Sequence, residues 1–88
     1  MAQATKSFKI GEYAIGGIIR IDIKGKVIQI KALDYNTKEI VKQGTTTTEE
    51  YGVVSQIRDF LEELTSHYYA EKIMDWIEEK TNFKKGWM

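Results

Sequence analysis

Neither cysteine nor proline occurs in the 88 residues. Without cysteine, disulfides and thiolate metal sites cannot contribute stability or chemistry. Without proline, nothing obliges a helix or strand to stop, so every boundary must be read from side-chain pattern. Histidine occurs once, at His67, and Ser7, Ser55 and Ser66 stand in no nucleophile-elbow context. Adjacent acids (Glu49/Glu50, Glu62/Glu63, Glu78/Glu79) diverge around a helix, and Asp22 with Asp34 do not make a metal nuclease. "IGGI" at Ile15–Ile18 lacks the spacing of a phosphate loop and opens onto a strand pattern. A non-enzymatic protein with no cofactor and no metal is therefore expected. Long apolar runs are also missing, and the opening "MAQATKSFK" has no signal-peptide apolar block. That pattern predicts a cytosolic protein with no membrane partner, of prokaryotic or viral type.

What is present is a segregated charge. The formal net charge is zero, yet residues 1–48 carry eight Lys/Arg against four Asp/Glu, a balance of +4. Residues 49–81 carry three against nine, a balance of −6, and the last seven residues add +2. A basic half followed by an acidic half predicts either two faces with different partners or strands that pair with helices. A single domain over 1–88 is expected, with a core small enough that a homodimer is the default.

The strongest local signal is "IIRIDIKGKVIQIKAL", Ile18–Leu33. Isoleucine alternates with charge, the period of a half-buried strand, and Lys24-Gly25 is the predicted two-residue hairpin turn. That turn sets Ile21 opposite Ile28 and Arg20 opposite Gln29. One face is then Ile19, Ile21, Ile23, Ile28, Ile30 and Ala32; the other is Arg20, Asp22, Val27, Gln29 and Lys31. "FKIGEYAIGG" predicts a short strand upstream with Phe8, Ile10 and Tyr13, then a bend at Gly16-Gly17. "DYNTKE" predicts a turn, and "EIVKQGT" a strand returning beside Lys26–Leu33.

"TTTTEE" at Thr45–Glu50 predicts a strand-to-helix joint, with Thr47 as N-cap and Glu50 reaching back to close a capping box. Val54, Ile57, Leu61 and Leu64 form an amphipathic stripe broadened by Tyr51, Val53 and Phe60. The later apolar set (Tyr69, Ala70, Ile73, Trp76, Ile77) has a shifted phase, which places a helix break near "LTSH". The expected architecture is α+β: an N-terminal antiparallel β-meander of three or four strands followed by a C-terminal helical hairpin. The sheet is expected over about 7–46, helices over about 48–65 and 66–81, and a tail over 82–88. Tyr68, Tyr69 and Trp76 are expected in the core or a dimer seam, and Phe83 and Trp87 in a tail that docks back on the domain.

If the helices cover the isoleucine face, the opposite face presents Arg20 and Lys31, with Lys24 and Lys26 at the hairpin tip. Tyr13 and Tyr35 lie at strand edges near these cations, where an aromatic ring can stack on a base. The alternative is a small viral or phage-type regulator or inhibitor that binds a protein through its acidic helices and aromatic tail.

Three short motifs carry a resemblance to a known family. Phe8-Lys9-Ile10-Gly11 followed by Lys24-Gly25-Lys26-Val27, and Lys42-x-Gly44 followed by threonine and Glu49-Glu50-Tyr51, resemble the positive-cofactor-four and Whirly group of single-stranded DNA-binding proteins. The similarity spans about Phe8 to Leu64. Thr45 and Thr47 stand where that family prefers apolar residues, and the second helix and tail have no counterpart in its minimal domain. The resemblance implies basic strands gripping a DNA backbone and a helix making a dimer. It implies backbone contacts for Lys9, Lys24, Lys26 and Lys42, to which the sheet-face pattern adds Arg20, Lys31 and Tyr35. Single-stranded nucleic acid is the expected partner.

Overall fold

The computed structural model describes residues 3–48 and 52–81. Four antiparallel strands, β1 Gln3–Lys9, β2 Ile18–Lys24, β3 Val27–Leu33 and β4 Ile40–Thr47, pair in chain order as a meander. Two helices follow, α1 Val53–Leu64 and α2 His67–Lys80. The expected α+β order of a meander and a helical hairpin is what the chain adopts, and the sheet has four strands.

Alternation along β2 and β3 decides the layering. Ile19, Ile21, Ile23, Ile28, Ile30 and Ala32 are all buried on one face, and both helices lie against that face. α1 contributes Val53, Val54, Ile57, Leu61 and Leu64, while α2 contributes Ala70, Ile73, Met74 and Ile77. Truncating a fully buried member such as Leu61 would cost about 2–5 kcal/mol through lost burial and the cavity left behind. Phe8 from β1 and Trp76 from α2 close one side of the core edge-to-face, centroids 6.1 Å apart. Tyr69 is half-buried, whereas Tyr68 is 61% exposed and outside the core.

The helix break falls where the apolar phase shifts. Thr65 ends α1, and the Ser66 hydroxyl caps α2 by accepting from the Tyr69 amide at 3.4 Å. An Arg58–Glu71 ion pair at 3.2 Å ties the two helices together. Neither helix is long and apolar enough to cross a membrane.

Several local expectations are corrected. The β2–β3 turn is Gly25-Lys26, not Lys24-Gly25. Gly25 takes φ 61 while Lys26 does not adopt positive φ, the pattern of a II′ turn with Gly first. Pairing is displaced by two residues as a result, so Ile21 opposes Ile30 and Arg20 opposes Lys31. An even displacement leaves the two faces intact, because side chains repeat every second residue.

β1 begins at Gln3, upstream of the expected start, and Tyr13 lies in the β1–β2 loop at 97% exposure. Gly16 and Gly17 form the bend. A Cβ on Gly16 would sit 2.6 Å from Ile19 Cδ1, and its amide donates to the Leu64 carbonyl at 2.8 Å. This contact pins the loop to the end of α1.

The capping box is not formed at Thr47. That residue is the last of β4, opposite Val27, and α1 begins at Val53 after Gly52 in the left-handed region, φ 80. Threonine's β-branch suits a strand, and the sheet keeps it. Glu50, Tyr51 and the tail residues Phe83 and Trp87 lie outside the described residues.

Candidate nucleic-acid interface

The face of the sheet away from the helices can be read directly from register. At the hairpin end, Gln3, Lys24, Val27 and Thr47 stand side by side across the four strands. The next rank is Thr5, Asp22, Gln29 and Thr45, and the third is Ser7, Arg20, Lys31 and Gln43. The last rank, at the loop end, is Lys9, Ile18, Leu33 and Ile40. The first three ranks are polar save for Val27, rich in Thr, Gln and Ser. The fourth is apolar apart from Lys9.

At the centre, Arg20 and Lys31 are direct cross-strand partners. Like charges placed directly opposite one another destabilise a sheet, so this pair needs a compensating anion. Asp22 supplies part of it. The Arg20 Nε lies 3.3 Å from Asp22 Oδ2, and the Thr5 hydroxyl donates to Asp22 Oδ1 at 2.7 Å. The Thr5 hydrogen bond, then the hydrogen bond and charge of Arg20 and the charge of Lys31, hold the Asp22 carboxyl below its ordinary value of 3.8. One carboxylate between two opposed cations leaves the cluster with an excess positive charge. Arg20 is also open to solvent, with 47% of its side chain exposed.

The other expected contacts are distributed unevenly. Lys24 lies on the same face, two ranks from Arg20 along β2. Lys9 is at the far end on the edge strand β1, and Lys26 is exposed at the turn. Lys42 is on the opposite face. It pairs with Ala32, its ammonium meets Glu63 of α1 at 2.9 Å, and it lies 5.2 Å from the centre of the Phe60 ring. The alternation of β4 therefore directs Lys42 to the helical layer, and the resemblance-based role would require it to leave this ion pair. Tyr35 is half-buried in the β3–β4 turn, where the Lys38 ammonium sits 5.2 Å over its ring and donates to its carbonyl.

That turn is organised by Asp34. Its Oδ2 accepts from the amides of Asn36 at 2.9 Å and Thr37 at 2.8 Å, and these bonds lower its pKa. Asp34 is thus a turn-forming residue. Some acids of the helices are engaged locally as well: Glu62 meets the His67 ring, Glu63 meets Lys42 and Glu71 meets Arg58. Among the described residues no three His, Asp or Glu side chains are grouped to hold a metal ion.

The polar ranks of β1 and β4 carry no local sequence signal, because strand register alone aligns them with Arg20 and Lys31. Thr5 in particular, the anchor of Asp22, was visible only as one of the alternate polar residues of "QATKSFK". Comparison with family models, with curated proteins and with solved structures returns no match.

Proposed function

We propose that this protein is a non-enzymatic, dimeric binder of single-stranded nucleic acid, and that the open face of its sheet is the binding surface. The observation that carries the reading is the opposed Arg20–Lys31 pair, only partly compensated by Asp22. A phosphate placed between the two cations relieves their repulsion and accepts charge-assisted hydrogen bonds from both. Lys24 and Lys9 extend the positive charge toward either end of the face. The Thr, Gln and Ser side chains around them suit sugar and base edges without demanding one sequence. Tyr13, 97% exposed in the β1–β2 loop, lies beside Leu64, Ser66 and Tyr69 at the α1–α2 junction and so is not a stacking ring of this face. Of the motifs that resemble the positive-cofactor-four and Whirly group, those carrying Lys9 and Lys24 point the same way, whereas Lys42 faces the helical layer.

The test is fluorescence anisotropy of a labelled oligonucleotide titrated with the protein over a series of salt concentrations. Binding at low salt that weakens steeply as salt rises is expected, because each neutralised phosphate releases counterions. Absence of binding at the lowest salt would overturn the reading and leave the acidic helices as the surface to examine.

A further inference from the structure

The two edges of the sheet are protected differently. β1 carries Lys6 and Lys9, both exposed, and lysine on an edge discourages another strand from adding to it. β4 carries a single ionisable residue, Lys42, whose ammonium is engaged by Glu63 and Phe60. From Gln43 to Thr48 it has no charge, and Thr45, Thr46 and Thr47 are β-branched residues suited to a strand. Among the described residues no strand lies on its outer side.

The hydrogen-bonding pattern shows which groups that edge offers. The Thr48 amide donates to the Lys26 carbonyl at 2.8 Å. Alternation in an antiparallel ladder then turns the amides of Lys42, Gly44 and Thr46 toward β3, and those of Gln43, Thr45 and Thr47 outward. Outward amides and carbonyls on a neutral edge are the chemistry that receives an extended strand.

We propose that the occupant is β4 of a second copy, paired antiparallel about a twofold axis through Gly44. Opposed residues in an antiparallel pair share a face, so the axis must pass through a residue and not between two. Centred on Gly44, Gln43 opposes Thr45 of the other copy and Lys42 opposes Thr46, so no like charges meet. The regular part of the strand, clear of the bulge at Ala32/Leu33, extends on both sides of this centre.

The helical layer supports the same centre. Phe60 lies over Gly44, 3.3 Å from where a Cβ would be, beside a groove of about 110 Å³ lined by Ile30, Gly44, Thr46, Gln56, Ile57 and Phe60. A twofold through Gly44 brings the half-buried Phe60 of each copy to the same seam, and the absent Gly44 side chain gives both rings room. The product is a continuous eight-stranded sheet with all helices on one side. Its open face carries two Arg20–Lys31 clusters, the two Lys31 positions about 16 Å apart, three strand spacings across and two residues along the strands.

This inference rests on the dimeric part of the reading above, and the experiment separates it from nucleic-acid binding. Sedimentation velocity over a concentration series reads the oligomeric state of the wild type and four variants. Thr45→Pro removes only an outward amide, so it should preserve the β3–β4 ladder and the circular dichroism spectrum. The wild type is expected to be dimeric and Thr45→Pro monomeric. Gln43→Lys with Thr45→Lys opposes like charges across the seam and is expected to be monomeric. Gln43→Glu with Thr45→Lys opposes unlike charges and is expected to restore the dimer. A monomeric wild type at every concentration would overturn the proposal, as would a folded Thr45→Pro that dimerises as well as the wild type. Arg20→Gln with Lys31→Gln is expected to remain dimeric, so loss of oligonucleotide binding leaves the seam result intact.

Discussion

Replacing Arg20 and Lys31 together by Gln removes the central cation pair while keeping a polar residue of strand-compatible length at each position. The open face of each protomer presents four cations, Lys9, Arg20, Lys24 and Lys31, to a strand lying on that protomer alone. With one phosphate neutralised per cation, the slope of log affinity against log salt is about −2.8 for a single strand, at about 0.7 per contact. Raising salt from about 50 to about 200 mM then weakens wild-type binding about 50-fold. The double variant retains Lys9 and Lys24, so its slope falls to about −1.4 and the same change in salt weakens it only about 7-fold. Its affinity at low salt is expected to drop as well, since two charge-assisted contacts are lost. The assay is anisotropy at five or so salt concentrations, paired with thermal unfolding by circular dichroism. Fold stability should change by no more than about 1 kcal/mol, because the Arg20–Asp22 pair is partly exposed and the removed Arg20–Lys31 repulsion offsets its loss. A folded double variant with the wild-type slope would refute the placement of the binding surface on this face.

Three further substitutions test the same geometry. Lys42→Gln is expected to cost less than about 1 kcal/mol, the range of an exposed ion pair, and to leave the salt slope unchanged; a slope reduced as much as by Lys31→Gln would place Lys42 in the interface after all. Asp22→Asn removes the only acid on the face among the described residues and should tighten oligonucleotide binding and steepen its salt dependence, whereas weaker binding would show that Asp22 orients Arg20 for the ligand. The same substitution tests linkage: the folded pKa of Asp22 is depressed, so its stabilising effect is full above about pH 4 and lost as pH falls through the lowered value. The stability difference between wild type and variant, read by denaturant titration, should accordingly shrink below about pH 4. Thr48 is 2% exposed and its hydroxyl has no hydrogen-bond partner among the described residues; Thr48→Val should therefore raise stability by about 1 kcal/mol, since the isosteric methyl removes a buried unsatisfied group. A thermal midpoint that falls instead would mean that the hydroxyl is bonded in solution.

The sequence was legible wherever a period repeated often enough to exclude its neighbours. Six alternating apolar residues in β2 and β3 specified both faces of the hairpin even though the turn was misplaced by one residue. The error displaced pairing by two, and a period of two is blind to that. Only the ladder could place Lys31, and not Gln29, opposite Arg20, which turned two separate surface cations into a cluster with an electrostatic need. The helix break was legible for a similar reason, because a continued stripe would have carried Glu71 and Asp75 into the core.

Threonine runs and edge strands were less readable. Thr47 satisfies the pattern of an N-cap and that of a strand equally well, and the choice was made by pairing with Val27, a contact twenty residues away in the chain. Lys42 illustrates the same limit. Its side chain goes to the helical layer because β4 pairs with Ala32 in one register, and nothing within "IVKQGT" reports that register. The amino-acid sequence by itself determined the order of elements, the apolar face and the segregation of charge, since each is a local or periodic property of the chain. The tertiary structure decided which cations share a surface, which one is taken by an acid of α1, and which strands form the edges of the sheet. Those depend on pairing across strands and layers, where residues distant in sequence meet.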